Sequence, residues 1–113
     1  MNWNPFKRKS VGAPTVVIQH DELNGALAVL AGAFGDGMTA DQTGPGFTCA
    51  EADSVARVLA LTGYKPEAVT WLEGHASGDE GDDSHFLYEN DEGGEGHVMN
   101  ADEIASYVEE LAA

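Results

Sequence analysis

Basic residues are scarce in this chain: five Lys and Arg stand against twenty Asp and Glu, for a formal net charge of −15 at pH 7. Three of the five lie together at residues 7–9, and none follows Lys65, whereas fourteen acidic residues do. A body with this charge is repelled by nucleic-acid phosphates and by anionic lipid. The composition therefore argues against direct nucleic-acid binding and favours a basic protein partner, a cation or solubility alone.

Cysteine and long apolar segments are equally scarce. The single cysteine, Cys49, excludes an internal disulfide, which suits a reducing compartment. The best apolar candidate, residues 26–34, is much shorter than the roughly 18 to 20 residues that span a bilayer. Asp21 and Glu22 separate this stretch from the basic cluster, unlike the arrangement in a signal peptide. We therefore expect no transmembrane segment and a cytoplasmic location.

The length of 113 residues, 42% of them apolar, is enough for one domain. The composition predicts a basic, flexible tail over residues 1–14 and a single globular domain over 15–113, with an acidic, glycine-rich loop at 77–96. We expect an α+β fold that is mostly α, with a central helical hairpin, two further helices and one or two short strands. The β-branched residues 15–19 are one strand candidate.

The first helix is expected from about Glu22 to Phe34, with Asp21 as its N-cap. Residues 35–47 are rich in glycine and are predicted to be a loop. They lack the Gly-Lys-Ser/Thr ending of a phosphate-binding loop.

A helical hairpin is predicted over residues 48–77. Thr48 and Glu51 have the spacing of a capping box, which marks the start of its first helix. Gly63 ends that helix, and Pro66 lies in the first turn of the next one. Trp71 is expected at the flank of the second helix, whose apolar face is formed by Val69, Leu72 and Ala76.

The last third of the chain predicts two short strands and a helix. Residues 85–88 and 97–99 are apolar islands that flank an acidic segment and are expected to pair. Asn100 is the predicted N-cap of the final helix, with Glu103 three residues later. Its inner face is expected to comprise Ala101, Ile104, Ala105, Val108 and Leu111.

The segment WLEGHASGDEGDDSH combines imidazoles and carboxylates at short spacing. His75, Asp79, Asp82, Asp83 and His85 are all potential ligands of zinc or another transition metal. Glycines and an expected loop separate them, whereas zinc ligands are usually held on rigid elements. We therefore interpret residues 77–85 as a solvated loop that binds metal weakly at best.

A calcium loop is a second reading of the acidic region. Counted from Asp91, oxygen donors occupy loop position 1, position 5 (Glu95) and position 12 (Asp102), and Gly96 stands at position 6. Position 3 is Gly93, which has no side-chain ligand. The weak metal candidates are therefore His75, Asp79, Asp83, His85, Asp91, Glu95 and Asp102, and no cofactor is favoured.

Catalysis is not expected from the sequence. Cys49 is predicted at the first position of a helix, where the helix dipole lowers a thiol pKa. No spacing places a histidine beside it, so we interpret Cys49 as a small buried residue. The carboxylates come in surface runs without apolar enclosure.

Charge-driven binding is the function that the composition favours. We expect a non-catalytic protein that binds a basic protein partner, for example as a nucleic-acid mimic or an inhibitor of a host factor. Self-association through apolar helix faces, as in a virion component, is the first alternative, and a weak metal-binding module is the second. The acidic residues expected at the interface are Glu51, Asp53, Glu67, Glu73, Asp79, Glu80, Asp82, Asp83, Glu109 and Glu110.

Residues 47–86 resemble a class of small acidic proteins of unassigned function encoded by phages of actinobacteria. The capped helix, the helical hairpin and the WLEGHASGDEGDDSH ending carry this resemblance, which covers about a third of the chain. It implies a phage accessory protein or small virion component that acts inside a bacterial cell. It implies no catalytic residues, and both the basic tail and the last helix lie outside it.

Overall fold

The computed structural model describes residues 19–81, 83–89 and 95–113. They form an α+β fold that is mostly α, as the sequence predicts. Most of the strand candidate at 15–19 lies outside the described residues. The described elements, in chain order, are α1 (His20–Phe34), α2 (Gly37–Thr43), a 3-10 turn (Gly44–Gly46), α3 (Cys49–Leu61), α4 (Lys65–Ala76), β1 (Phe86–Tyr88), β2 (Gly96–Val98) and α5 (Ala101–Ala112).

Helix α1 begins earlier than the sequence indicates. Gln19 occupies the N-cap position without a side-chain hydrogen bond, so the prediction of Asp21 as the cap was wrong. Asp21 lies instead in the first turn, together with Glu22. Both negative charges are favourable there, because the helix dipole is positive at its N-terminus.

The glycine-rich segment predicted as a loop contains a helix, so that prediction was wrong. Asp36 is the N-cap of α2, and its carboxylate accepts a hydrogen bond from the Thr39 amide at 3.0 Å. Ala40 of α2 is fully buried against α4. A Cβ added at Gly74 would collide with the Ala40 backbone. Gly74 thus allows a close crossing of α2 and α4, and this tertiary contact supports a short helix within a glycine-rich segment.

The helical hairpin is confirmed. Thr48 and Glu51 form both hydrogen bonds of a capping box at the start of α3. Gly63 has a positive φ of 98° in the connection, a conformation that favours glycine. Pro66 lies in the first turn of α4.

Trp71 lies at the centre of the core, so its expected place on the flank was wrong. Its side chain is fully buried, and its indole Nε1 donates to the Ala52 carbonyl at 3.0 Å. The rings of Phe34 and Phe47 both contact it edge-on, at centroid distances of 4.9 Å. The buried core as a whole comprises Ala31, Ala40, Ala52, Ala56, Leu59, Ala60, Ala68, Trp71, Leu72, Ala76, Ile104 and Val108.

The two short strands pair as expected. They are antiparallel, with Phe86 opposite Val98 and Tyr88 opposite Gly96. Asn100 and Glu103 form the predicted capping box of α5.

The inner face of α5 is narrower than predicted. Ile104 and Val108 are fully buried and Leu111 is half-buried, but Ala101 and Ala105 are exposed, so their assignment to this face was wrong. Within the described ranges, no helix is both long enough and apolar enough to cross a membrane.

Candidate metal centre

Four potential metal ligands converge where the helical hairpin meets the sheet. Cys49 is the first residue of α3, His75 lies in the last turn of α4, Asp79 follows that helix, and His85 precedes β1. One donor atom from each residue, Cys Sγ, a His ring nitrogen or a carboxylate oxygen, lies within 4.8 Å of all the others. In the part of the chain that the structure describes, no other group of three or more such residues comes together in this way.

His75 presents an unpaired nitrogen to the other three residues. Its side chain is 2% exposed, and Nδ1 lies 2.7 Å from the Gly44 carbonyl oxygen. A carbonyl only accepts, so Nδ1 donates and Nε2 of the neutral ring carries a lone pair. This buried Nε2 has no hydrogen-bond partner among the described residues.

The nearest acceptor to that nitrogen is a carboxylate. Asp79 Oδ1 lies 3.4 Å from His75 Nε2, within ion-pair range but without the geometry of a hydrogen bond. Two lone pairs that face each other in a buried site need a positive charge between them, either a proton or a metal ion.

Close backbone packing holds His75 in this orientation. A Cβ added at Gly44 would lie 2.6 Å from the His75 amide nitrogen. A glycine at position 44 therefore lets the 3-10 turn approach α4 closely enough for its carbonyl to accept from the imidazole. This hydrogen bond selects the tautomer that leaves Nε2 available to a metal.

Asp79 lies at the centre of the cluster and is 9% exposed. Its Oδ2 accepts from the His85 amide at 3.1 Å, lies 2.9 Å from His85 Nδ1 and accepts from Cys49 Sγ at 3.5 Å. The prediction that residues 77–85 form a solvated loop was therefore wrong at Asp79, and also at His85, which is fully buried. Other residues of the segment, such as Glu80 and Asp83, are exposed, as expected for a solvated loop.

His85 is fully buried and faces a carboxylate on each side. Its Nε2 lies 2.7 Å from Asp53 Oδ1, and Asp53 Oδ2 accepts from the Tyr107 hydroxyl at 2.5 Å. A metal ion at Nδ1 would replace one ring hydrogen, whereas Nε2 would still donate to Asp53. Burial raises the pKa of Tyr107, and the hydrogen bond to Asp53 raises it further, so the phenol remains a donor.

Burial also raises the pKa of the Cys49 thiol above its ordinary 9.0, and the negative charge of Asp79 raises it further. Hydrogen bonds with Ser84 lower this pKa, but the net effect is a rise. Without a metal, the thiol stays protonated and donates to Asp79. This state is unsuited to a nucleophile, which needs a lowered pKa or an adjacent base that accepts its proton. A bound metal ion would displace the thiol proton, as metal binding generally does.

The distances in the cluster suit a small divalent transition metal. Ligands placed 2.0 to 2.3 Å from a tetrahedral zinc ion lie about 3.3 to 3.7 Å apart. The 3.4 and 3.5 Å contacts of Asp79 with His75 and Cys49 fall in this range, whereas its 2.9 Å contact with His85 is a hydrogen-bond distance that an ion would lengthen. Sulfur and imidazole donors favour zinc or cobalt over calcium and magnesium. Each imidazole also donates from its other nitrogen to an oxygen, as metal-bound histidines usually do.

The remaining metal candidates lie outside the cluster. Asp83 is exposed, and its carboxylate accepts from the Glu80 amide at 2.7 Å. Glu95 and Asp102 are exposed, Asp102 in the first turn of α5. Asp82 and Asp91 lie outside the described residues.

The acidic residues expected at an interface fall into different environments. Asp53 and Asp79 point into the cluster, Glu51 caps α3, and Glu109 forms an ion pair with Lys65 at 2.9 Å. Glu67 is half-buried, whereas Glu73, Glu80, Asp83 and Glu110 are exposed.

Sequence reasoning found three of the four donors but missed Cys49 as a ligand, and it missed Asp53 and Tyr107 as partners of His85. For the donors that were found, the signal in the sequence was the spacing of four residues between His75 and Asp79, which puts both side chains on one side of a helix end. Comparisons with models of protein families, with curated proteins and with solved structures found no match. The resemblance to phage proteins therefore stays a prediction.

Proposed function

We propose that this chain is a metal-binding domain that holds one divalent transition-metal ion, zinc above all, between Cys49, His75, Asp79 and His85. The observation that carries the proposal is the buried Nε2 of His75, which faces a carboxylate without a hydrogen bond inside a four-donor cluster. An ion at this place would give all four donors a common partner and would neutralise the thiolate and the carboxylate.

The hydrogen bonds behind the donors support the same proposal. Gly44 orients His75, and Asp53 with Tyr107 orients His85. The ion would connect α3, α4 and the segment before β1, so its main effect would be to stabilise the fold. The strongly acidic chain also attracts cations in general, which favours uptake.

Titration of the metal-free chain with Co²⁺ and Zn²⁺ tests the proposal. We expect one ion per chain, a visible cobalt spectrum of low-symmetry coordination with a thiolate charge-transfer band, and displacement of cobalt by zinc. His75→Ala should abolish tight binding, and Cys49→Ser should remove the charge-transfer band. His20→Ala is the matched control, because it removes an exposed histidine outside the cluster. Absence of binding, or binding that survives His75→Ala unchanged, would refute the proposal.

Charge-driven binding of a basic protein is a second candidate function. The exposed carboxylates of Glu73, Glu80, Asp83 and Glu110 favour it, because they remain available on a chain with a net charge of −15. Capture of basic proteins from a bacterial lysate should weaken steeply as salt is raised. Binding that is independent of salt would rule this function out. With this function we also propose a cytoplasmic location and the role of a phage accessory protein.

Self-association is favoured by a different observation. Val29 and Met38, on α1 and α2, are 75% and 68% exposed. A chain that stays monomeric at high concentration in sedimentation would exclude this alternative.

A further inference from the structure

A cleft opens onto the metal centre, and its further lining residues are Pro45, Phe47, Thr48, Gly78, Asp83 and Ser84. Cys49, His75 and Asp79 line it, whereas His85 does not and is fully buried. The volume of the cleft is about 440 Å³, within the range of small-molecule sites. A metal ion held by the four donors would thus be reached from solvent beside Cys49, which is half-buried, whereas His75 and Asp79 are buried.

We propose that the bound metal ion keeps an exchangeable coordination position toward this cleft, and that the position takes a neutral nitrogen donor in preference to an anion. The inference rests on the proposed function, since it concerns the same ion. Four protein ligands in a tetrahedron close a structural zinc site, so the exchangeable position here would be a fifth one, in the expanded coordination that zinc can also adopt. Here the open cleft and the partly exposed Cys49 place solvent beside the donors.

Charge determines which ligand class the position favours. A divalent ion bound by the Cys49 thiolate and the Asp79 carboxylate carries no net charge together with its donors. An added anion would create a negative centre in a strongly acidic chain, next to Asp83 at the cleft. A neutral imidazole or amine adds no charge to the centre.

Imidazole and azide, added separately to the cobalt-loaded full chain, are the probes that test this inference. Imidazole should shift the visible cobalt bands at millimolar concentration. Azide should bind about tenfold more weakly, because the negative charge of Asp83 in the cleft repels an anion. Asp83→Asn should narrow this difference, because it removes a carboxylate from the cleft. Glu73→Gln is the matched control: it removes an exposed charge that does not line the cleft.

The outcomes separate the two proposals. Cobalt that binds but whose spectrum neither probe changes would show a closed site and overturn this inference alone. Azide that binds as tightly as imidazole would overturn the ligand preference. A chain that binds no cobalt would overturn the proposed function and this inference with it.

Discussion

Replacing Asp53 with alanine tests whether the hydrogen bonds behind the donors determine how well the metal binds. Asp53 accepts from His85 Nε2 at 2.7 Å and from the Tyr107 hydroxyl at 2.5 Å. His85 is fully buried. In the alanine variant its Nε2–H therefore loses the acceptor that the structure describes.

The magnitude follows from this geometry. A buried donor left without an acceptor lowers the free energy of unfolding by about 1 to 3 kcal/mol. Loss of the group that orients a metal-bound histidine weakens metal affinity by about 10- to 100-fold, equivalent to about 1.4 to 2.7 kcal/mol. Asp53→Asn keeps an oxygen that accepts from His85, so we expect its affinity to fall less than tenfold, that is by less than about 1.4 kcal/mol. Stoichiometry should remain one ion per chain in both variants.

Competition with a chromophoric chelator measures the affinity, and urea unfolding of the metal-free chain measures the stability. Glu73→Gln is the control for charge, because it removes one exposed carboxylate of α4. If Asp53→Ala weakens binding no more than this control does, general electrostatics accounts for the effect. The argument that Asp53 positions His85 would then be refuted.

The remaining predictions address the fold and its response to pH and metal. Gly74→Ala should destabilise the chain by about 1 to 3 kcal/mol in urea unfolding, because its Cβ would meet the α2 backbone. A Cβ added at Gly32 meets no other atom, so Gly32→Ala should instead stabilise α1 by up to about 1 kcal/mol. Trp71→Ala should cost about 3 to 5 kcal/mol, since the side chain is fully buried; a loss under about 1 kcal/mol would contradict its place in the core. Burial raises the pKa of Tyr107 above its ordinary 10.0 in the folded chain, so the unfolded chain ionises first. The resulting stability is present below pH 10 and lost as the pH rises toward the folded value. As the pH is raised from about 9 to 11, the thermal stability of Tyr107→Phe should therefore fall less than that of the parent chain. Zinc at about 100 times its dissociation constant should raise the free energy of unfolding by about 2.7 kcal/mol, and a chelator should reverse this.

Local signals in the sequence predicted much of the fold. The capping boxes at Thr48 and Asn100 were found because each depends on residues only three positions apart. Gly63 was found for a similar reason, since a left-handed residue after a helix is a local requirement. The errors arose where tertiary contact overrides local preference. Helix α2 contains glycine and has seven residues, and it packs on α4 because Gly74 leaves room.

The candidate site was predicted only in part, because its geometry is not local. His75, Asp79 and His85 lie close in sequence and were recognised as potential ligands. Cys49 is 30 residues from Asp79 and joins them only because α3 and α4 pack as a hairpin. Asp53 was grouped with the surface acids, since no local pattern in the sequence indicates which carboxylate of a helix faces inward. Its assignment required the position of Tyr107, 54 residues away.

The composition of the core explains why a metal ion would matter to this fold. Seven of the twelve buried apolar residues are alanines, and each alanine removes little apolar surface from water compared with a leucine or a tryptophan. A metal ion bound only by the folded chain adds its binding free energy to the stability of such a core. The candidate centre lies where such an ion would cross-link the fold, since its donors come from α3, from α4 and from the segment before β1. The inward-facing carboxylates of Asp53 and Asp79 fit this role better than a role at the surface. Both are held by buried histidine, and together they place negative charge where a cation would be bound.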